Sequence, residues 1–370
     1  MPGPDPAALP RLARVEAIHV RVPFRRPLLD ATGEYTHRRS WLLRLVDEDG
    51  NEGLGEAALD PISTDTTTGA LARLIREMVP ALAAGRAPVW SELAAEGEPG
   101  RAAMAAVDGS IAALQAGRGA GLADAYSAAS IPVSATISFA GPDAGADAAA
   151  QAIELGFGTL KLRAGFERTT DQLVDRLRAI RGAVGPEPRL RIDVGGAWDL
   201  EIAAERIAAI EPFRIEYVEQ PLAAWDVTGH AALRERVRVP IALDESIDSE
   251  GSARAALAER AADIVIVKPA RVGGLAATMG IAEAASAAGA SVVLGTFFET
   301  GVGIAAVLRI AAAMRAGAPG AELAQGLATA GLLIHDLLAV PLSIEKGRMA
   351  VPSAVTLDES EVDRYTIERF

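Results

Sequence analysis

The segment "GTLKLRAGF" (residues 158–166) is an apolar run that carries two cations, Lys161 and Arg163, near its polar end. Its composition is typical of a β-strand, and residues two apart on a strand share one face, so both cations are predicted to point the same way. Similar β-rich runs recur along the chain, separated by helix-like segments rich in Ala, Leu and Arg. These runs are "IPVSATIS" (131–138), "RLRIDV" (189–194), "IEYVEQ" (215–220), "VPIALDE" (239–245), "DIVIVKP" (263–269), "SVVLGTF" (291–297) and a short one near "ELAQGLA" (322–328).

This alternation of strand and helix, repeated seven or eight times, predicts parallel βα units. Eight units in roughly 200 residues match the size of a (β/α)8 barrel. An open doubly wound sheet is the alternative, and it would need a glycine-rich phosphate-binding turn after its first strand. The corresponding stretch, "ATISFAGPDAG" (135–145), is a poor match. We therefore predict an α/β protein with a TIM-like barrel over residues 129–340.

The N-terminal third has a different pattern. The runs "RVEAIHVRV" (14–22) and "WLLRLVD" (41–47) predict antiparallel strands, and helical spacing follows over residues 66–127. We predict an α+β domain over residues 1–128, with the C-terminal tail, 341–370, packing back on it. A long polar connection, 25–40, is predicted as a functional loop.

Composition excludes several functional classes. The chain of 370 residues has a net charge of −13 and no basic run, so we expect no nucleic-acid partner. Cysteine is absent, which excludes disulfides, thiol nucleophiles and cysteine-based zinc sites. The N-terminus has no signal-peptide pattern and no apolar run reaches the ~18 residues of a membrane span, so a cytoplasmic protein without membrane contact is expected.

Charged residues recur where the predicted barrel strands end, which is where barrel enzymes carry their functional groups. The intervals are 26, 25 and 24 residues (193 to 219, 219 to 244 and 244 to 268). Two members of the set belong to the only three lysines among 36 basic residues. The set comprises Lys161, Arg163, Asp193, Glu219, Asp244, Glu245, Lys268 and Glu299.

Three carboxylates on consecutive strands predict a bound cation, because like charges packed together are costly. Oxygen ligands favour a hard ion, Mg²⁺ or alternatively Mn²⁺. Zinc is the weaker alternative, because none of the four histidines lies at a barrel strand end. Those histidines are His19, His37, His230 and His335.

A divalent cation beside two lysines suggests metal-assisted abstraction of a proton next to a carboxylate. The metal would hold a small carboxylate substrate and stabilise the enediolate left by proton loss. A lysine near that cation has its pKa lowered and can act as the base.

These motifs resemble the enolase superfamily, and within it the muconate-lactonizing-enzyme subgroup. The matching stretches are "LKLRAG", "LRIDVGGAWD", "IEYVEQPL", "PIALDESI", "VIVKPARVGG", "FFETGVG" and, for the family's N-terminal capping domain, "DGNEGLGEA". The resemblance implies Asp193, Glu219 and Asp244 as Mg²⁺ ligands and Lys268 as an acid/base. Lys161 matches the first lysine of the family's Lys-x-Lys motif.

The chain looks most like o-succinylbenzoate synthases, a promiscuous family that includes N-succinylamino acid racemases. Mandelate racemases would need a seventh-strand histidine, and dipeptide epimerases an Asp-x-Asp near "GLATAG" (326–331); neither is present. The resemblance implies that residues 25–40 form a lid over the substrate and leads us to expect a homo-oligomer. The implied substrate-binding residues are Glu245, Glu299, Thr300, Gly301, Thr32 and Tyr35.

Two positions depart from the family pattern. Gly195 replaces the usual Asn, and Arg163 replaces the second lysine of Lys-x-Lys, which serves as a base in the synthases and racemases. Arginine, with a pKa above about 12, is a poor base but a good carboxylate donor. Either Arg163 reflects drift with lost activity, or Lys268 is the single base, which favours dehydration or cycloisomerisation. A non-catalytic barrel that only binds metal and carboxylate is the alternative of another class.

Overall fold

The computed structural model describes residues 11–30, 33–118, 130–138, 141–314 and 322–370. Its N-terminal part is built on a four-stranded antiparallel sheet in the order β14-β1-β2-β3. The last strand of the chain therefore pairs with the first. The strands are β1 (Leu12–Asp30), β2 (Gly33–Asp47), β3 (Glu52–Ala58) and β14 (Thr366–Arg369).

Helices cover one face of this sheet. Trp41, Leu43 and Leu45 alternate along β2 and are buried against leucines, alanines, isoleucines and valines of the helices. This period of two on the strand, facing apolar residues at helical spacing, is the pattern that packs a sheet onto helices. The helices are Asp65–Ala83, Trp90–Ala95 and Glu98–Gly117.

The central part is a curled parallel sheet of seven strands in sequential order, from β5 to β11. Most residues of these strands are buried, and the last three strands are almost wholly apolar, as expected of a parallel sheet covered by helices. They are β5 (Ala135–Ile137), β6 (Thr159–Arg163), β7 (Arg189–Asp193), β8 (Ile215–Glu219), β9 (Ile241–Leu243), β10 (Ile264–Val267) and β11 (Ser291–Leu294).

The predicted eighth run closes the ring without forming a full strand. Gln325 bridges to Val133 and Gly326 bridges to Gly295, both in parallel, so this segment joins the two edges of the sheet. The side-chain oxygen of Gln325 also accepts from the backbone N–H of Leu294 at 2.6 Å. The predicted TIM-like barrel with an α+β N-terminal domain is therefore confirmed.

Helices alternate with the barrel strands. Several begin at a side chain that caps their free N–H groups, as for Asp199 with Ile202 and Ser249 with Ser252. The helices are Pro142–Glu154, Thr170–Val184, Leu200–Ile210, Val227–Arg236, Glu250–Ala258, Pro269–Val272, Leu275–Ala288 and Gly301–Met314, followed by Glu359–Tyr365 near the C-terminus. Short 3-10 helices span Glu211–Phe213 and Ala330–Leu332, and a small sheet joins β4 (Ser130–Pro132), β12 (Ile344–Glu345) and β13 (Arg348–Ala350).

The prediction of a loop over 25–40 is wrong. β1 and β2 continue through this region as a hairpin, with Leu28 opposite Tyr35, because pairing satisfies the backbone groups that a loop would leave to solvent. The hairpin leans on the barrel, since Phe24 bridges to Leu333 and its ring meets that of Phe298 edge-on at 6.1 Å. The predicted domain boundaries stay predictions. No helix among the described residues is long and apolar enough to cross a bilayer.

Candidate active site

The parallel register of the barrel brings the predicted charged residues to one end of neighbouring strands. Arg163 at the end of β6 pairs in register with Asp193 on β7, and Asp193 pairs with Glu219 on β8. Asp244 follows directly after β9, and Lys268 follows β10. Because all these strands run the same way, their C-terminal ends form one mouth.

Lys161 lies at the centre of the first half of this cluster. Its Nζ atom is 2.6 Å from Glu219 Oε1 and 3.0 Å from Asp193 Oδ2. The Nη1 atom of Arg163 contacts the same oxygen of Asp193 at 3.1 Å. Lys161 and Arg163 of β6 therefore both face carboxylates of the next two strands, as predicted from their position on one face of β6.

Lys268 belongs to the second half of the cluster. Its Nζ atom is 2.6 Å from Asp244 Oδ2, while Arg271 Nη1 is 2.6 Å from Asp244 Oδ1. Both cations also lie over the ring of Phe297, at 5.1 and 4.8 Å from its centroid. Sequence reasoning missed Arg271, although its spacing of three residues from Lys268 on a short helix places it on the same side.

Burial dominates the electrostatics of the carboxylates. It raises the pKa of Glu219 to about 8, with Asp193 and Asp244 adding to the effect. Against the same burial, Lys161 and Arg163 hold the pKa of Asp193 below its usual value, and Lys268 and Arg271 do so for Asp244. Burial by itself would lower the pKa of Lys161, but Asp193 and Glu219 hold it well above its ordinary value.

The carboxylates are thus paired with cationic side chains. In this arrangement, no three His, Asp or Glu side chains of the described residues stand close enough to share a metal ion. One oxygen remains available, because Glu219 Oε2 is buried without a hydrogen-bond partner. Glu245 is exposed beside Asp244.

Glu299 and Thr300, which follow β11, lie beside Arg38 and Glu56 of the N-terminal sheet. The backbone N–H and the hydroxyl of Thr300 donate to Glu56 of β3, and the N–H of Gly301 donates to Asp336 at 2.9 Å. Glu299 is buried, and burial raises its pKa to about 7, with nearby Arg38 opposing the effect. These residues form the joint between the two parts of the molecule.

Arg38 also belongs to this joint, and sequence reasoning missed it as it missed Arg271. It lies on β2 and is fully buried, and its Nη1 atom donates to the carbonyls of Leu59 at 2.7 Å and Phe297 at 2.9 Å. Of the two hairpin residues predicted to bind substrate, Tyr35 is half-buried and packs with the cluster that contains Phe298. Thr32 lies outside the described residues.

A small pocket of about 50 Å³ is lined mainly by helices Glu98–Gly117 and Gly301–Met314. Glu56 and Glu299 contribute to its wall, which is otherwise mostly small and apolar, and neither Lys161 nor Lys268 lines it. The reactive groups are therefore at the barrel mouth and not in this pocket.

Comparison with known proteins agrees with this arrangement. The family model "Enolase C-terminal domain-like" matches residues 144–360. The chain is 40% identical over 240 residues to an o-succinylbenzoate synthase of Thermobifida fusca (strain YX), covering 63% of this chain and 71% of that protein. It is 32% identical over 312 residues to an N-succinylamino acid racemase of Amycolatopsis sp, covering 81% and 83%.

The fold is also that of a solved relative. The muconate lactonizing enzyme of Pseudomonas fluorescens, solved with muconolactone, superposes with a TM-score of 0.82 at 24% identity, covering 97% of this chain and all of that one. The family model spans more than half of the chain and the racemase matches 81% of it, so the chain is an enzyme of the enolase superfamily.

Proposed function

We propose that this enzyme removes the proton next to a substrate carboxylate with the help of Mg²⁺, in a dehydration like that of o-succinylbenzoate synthases. The proposal rests on the arrangement of two lysines and three carboxylates at the barrel mouth. Lys161 and Lys268 stand on the second and sixth strands, across the ring, with Asp193, Glu219 and Asp244 on the strands between them.

The chemistry of the three carboxylates suits Mg²⁺, with Mn²⁺ as a substitute, once Lys161 and Lys268 move off the oxygens that they contact here. They offer oxygen donors only, all three are buried, and Glu219 Oε2 is left without a partner. Asp193, Glu219 and Asp244 would hold the ion, which supplies positive charge for the substrate carboxylate when bound. Since the carboxylates already face cationic side chains, an added divalent cation makes the mouth strongly positive and suits an anionic substrate.

The side chains of the chain account for the proton transfers. Lys268, as a neutral amine, accepts the proton from the carbon next to the carboxylate, and the resulting ammonium group donates it to the departing β-hydroxyl, which leaves as water. Lys161 and Arg163 stay charged and stabilise the negative charge that develops on the carboxylate oxygens. A single base on one face is sufficient for this reaction.

Arg163 separates this proposal from racemisation, which is the second candidate. The likeness to the Amycolatopsis racemase favours a racemase. Racemisation with two bases, however, needs a proton carrier on each face, and an arginine with a pKa above about 12 does not deliver one at neutral pH. Muconate-type cycloisomerisation, which also needs only one acid/base, is compatible with the site.

Substrate contacts are proposed as well. Glu245 is exposed at the mouth, and Tyr35 lies on the hairpin that leans on the barrel. Glu299, Thr300 and Gly301 would shape the far wall, where Thr300 contacts Glu56 of the N-terminal sheet and Gly301 contacts Asp336. Homo-oligomerisation stays a prediction that light scattering of the purified protein tests.

The test is proton NMR of candidate carboxylates with enzyme and Mg²⁺ in D₂O. A cyclohexadiene-carboxylate substrate should lose its hydroxyl as water, and one enantiomer of an N-succinylamino acid should exchange its α-proton with retention. Arg163→Lys should keep or raise exchange and allow it from the second face. If no candidate exchanges while the protein binds them, the non-catalytic alternative is correct and the proposal fails.

A further inference from the structure

Gly195 and Arg163 occupy the same small space at the barrel mouth. Gly195 follows Asp193 by two residues and has a φ of +60°. A Cβ atom placed on it would lie 2.8 Å from Arg163 Nη2 and 3.3 Å from Arg163 Cζ, both closer than ordinary van der Waals contact. The guanidinium group therefore packs directly against the backbone of Gly195, and any side chain at residue 195 would clash with it.

This position ties Arg163 to the wall of the mouth. Its Nη1 atom contacts Asp193 Oδ2 at 3.1 Å, while 38% of the side chain remains exposed toward the mouth. Because the guanidinium is the flexible end of a long side chain, a Cβ atom at residue 195 would displace it and not break the strand. Because 38% of the Arg163 side chain is exposed, a displaced guanidinium has solvent-accessible space to move into.

We propose that Gly195 is a positioning residue that holds the Arg163 guanidinium on Asp193, and that the two residues act as one determinant of specificity. Arg163 on β6 lies across the ring from Lys268 after β10. Gly195 and Arg163 together keep a cation that accepts no proton on the side of the substrate opposite the base Lys268. The guanidinium group, held on Asp193, leaves room for the substrate on that side. Its consequence for the reaction rests on the proposed function, whereas the contact between the two residues does not.

Glycine at residue 195 has a second possible reason, since a φ of +60° is strained for residues with a side chain. The chain provides a matched control. Gly185 has a φ of +73°, and a Cβ atom on it would meet nothing within 4 Å. Alanine at either position places a side chain at positive φ, but only alanine at 195 meets the guanidinium.

The experiment is a double-mutant cycle of Gly195→Ala and Arg163→Lys, with Gly185→Ala as control. The first readout is Mn²⁺ affinity of the substrate-free protein by electron paramagnetic resonance. Moving the guanidinium away from Asp193 should tighten Mn²⁺ binding in Gly195→Ala at least about threefold, because a positive charge leaves the ligand. In the Arg163→Lys background the same change should leave affinity within about twofold, the usual scatter of independent sites.

The second readout is steady-state kinetics. Gly195→Ala should raise KM at least about fivefold with a smaller change in kcat, because the displaced guanidinium enters the substrate space. Gly185→Ala should change neither Mn²⁺ affinity nor KM. If Gly195→Ala folds poorly, Gly195→Asn places the same Cβ atom with a residue that tolerates positive φ.

The proposal would be overturned if Gly195→Ala changed Mn²⁺ affinity equally in the wild-type protein and in the Arg163→Lys variant. It would also be overturned if Gly195→Ala and Gly185→Ala had equal effects on Mn²⁺ affinity and KM. Mn²⁺ affinity requires no turnover, so its failure is separable from failure of the proposed function. If the effects of the two substitutions on Mn²⁺ affinity depend on each other but no substrate exchanges its α-proton, only the proposed dehydration is rejected. If these effects are additive while α-proton exchange is intact, only the proposed pairing of Gly195 with Arg163 is rejected.

Discussion

The Nζ atom of Lys161 lies 2.6 Å from Glu219 Oε1 and 3.0 Å from Asp193 Oδ2, so one lysine joins the carboxylates of two neighbouring strands. This ammonium group compensates two buried carboxylates that would otherwise repel each other. A metal ion between the same carboxylates would take over that role and leave the lysine to face the substrate. The relationship thus connects the stability of the site to its chemistry.

Mg²⁺ binding should stabilise the wild-type protein more than a Glu219→Gln variant. At a Mg²⁺ concentration of 100 times Kd, linkage predicts about 2.7 kcal/mol of stabilisation, visible as a rise in Tm. Replacing Glu219 removes a charged ligand, so the rise should shrink by at least half. Glu201→Gln, at a surface carboxylate paired with Arg236, should keep the full rise. An undiminished rise in Glu219→Gln would remove this carboxylate from the ligand set.

Lys268→Ala should lower kcat at least about 10³-fold, because it deletes the proposed base, and such groups contribute about 10²–10⁴. Lys346→Ala is the matched control, since Lys346 is exposed in a turn. Circular dichroism should show that both variants are folded. Wild-type turnover in Lys268→Ala would assign the proton transfer to another group.

Arg38→Met should destabilise the protein by about 3 kcal/mol, because it leaves the carbonyls of Leu59 and Phe297 without their donor at a buried joint. Arg39→Met is the control on the same strand, because that side chain is exposed on the opposite face. Urea unfolding of both variants measures the difference. Equal midpoints would show that the joint does not depend on this arginine.

Asp108 should make stability depend on pH. It lies on helix Glu98–Gly117 and accepts from the backbone N–H groups of Leu275 and Ala276, and burial raises its pKa to about 6 from an ordinary value of 3.8. Because the folded state prefers the protonated carboxyl, this contribution is fully present below pH 3.8 and is lost as the pH rises through about 6.

The loss should amount to about 3 kcal/mol, from a pKa difference of about 2. The difference in free energy of unfolding between Asp108→Asn and wild type should therefore grow in favour of the variant from pH 4 to pH 7. Asp147→Asn, at an exposed position, should show no such trend. A constant difference for Asp108→Asn across this range would contradict the prediction.

Much of the fold was predictable because each βα unit is specified locally. Short apolar runs, helical spacing between them and a charged residue at each strand end are all properties of 20 to 30 consecutive residues. The eighth unit was harder to predict, since Gln325 and Gly326 close the ring through single bridges and a side chain. The hairpin at 25–40 was missed because its polar residues resemble a loop, while backbone pairing decides its conformation.

Periodicity and strand direction were sufficient to predict the barrel from the sequence. They also predicted that four charged residues lie at strand ends: Asp193, Glu219, Asp244 and Lys268. The absence of cysteine excluded thiol chemistry. Only the tertiary structure decided which cation meets which carboxylate. It brought Arg271 to Asp244, Arg38 to Phe297 and the Arg163 guanidinium onto Gly195. These contacts join residues on different strands and domains, where distances of a few tenths of an ångström separate a contact from a clash, and no local pattern carries that information.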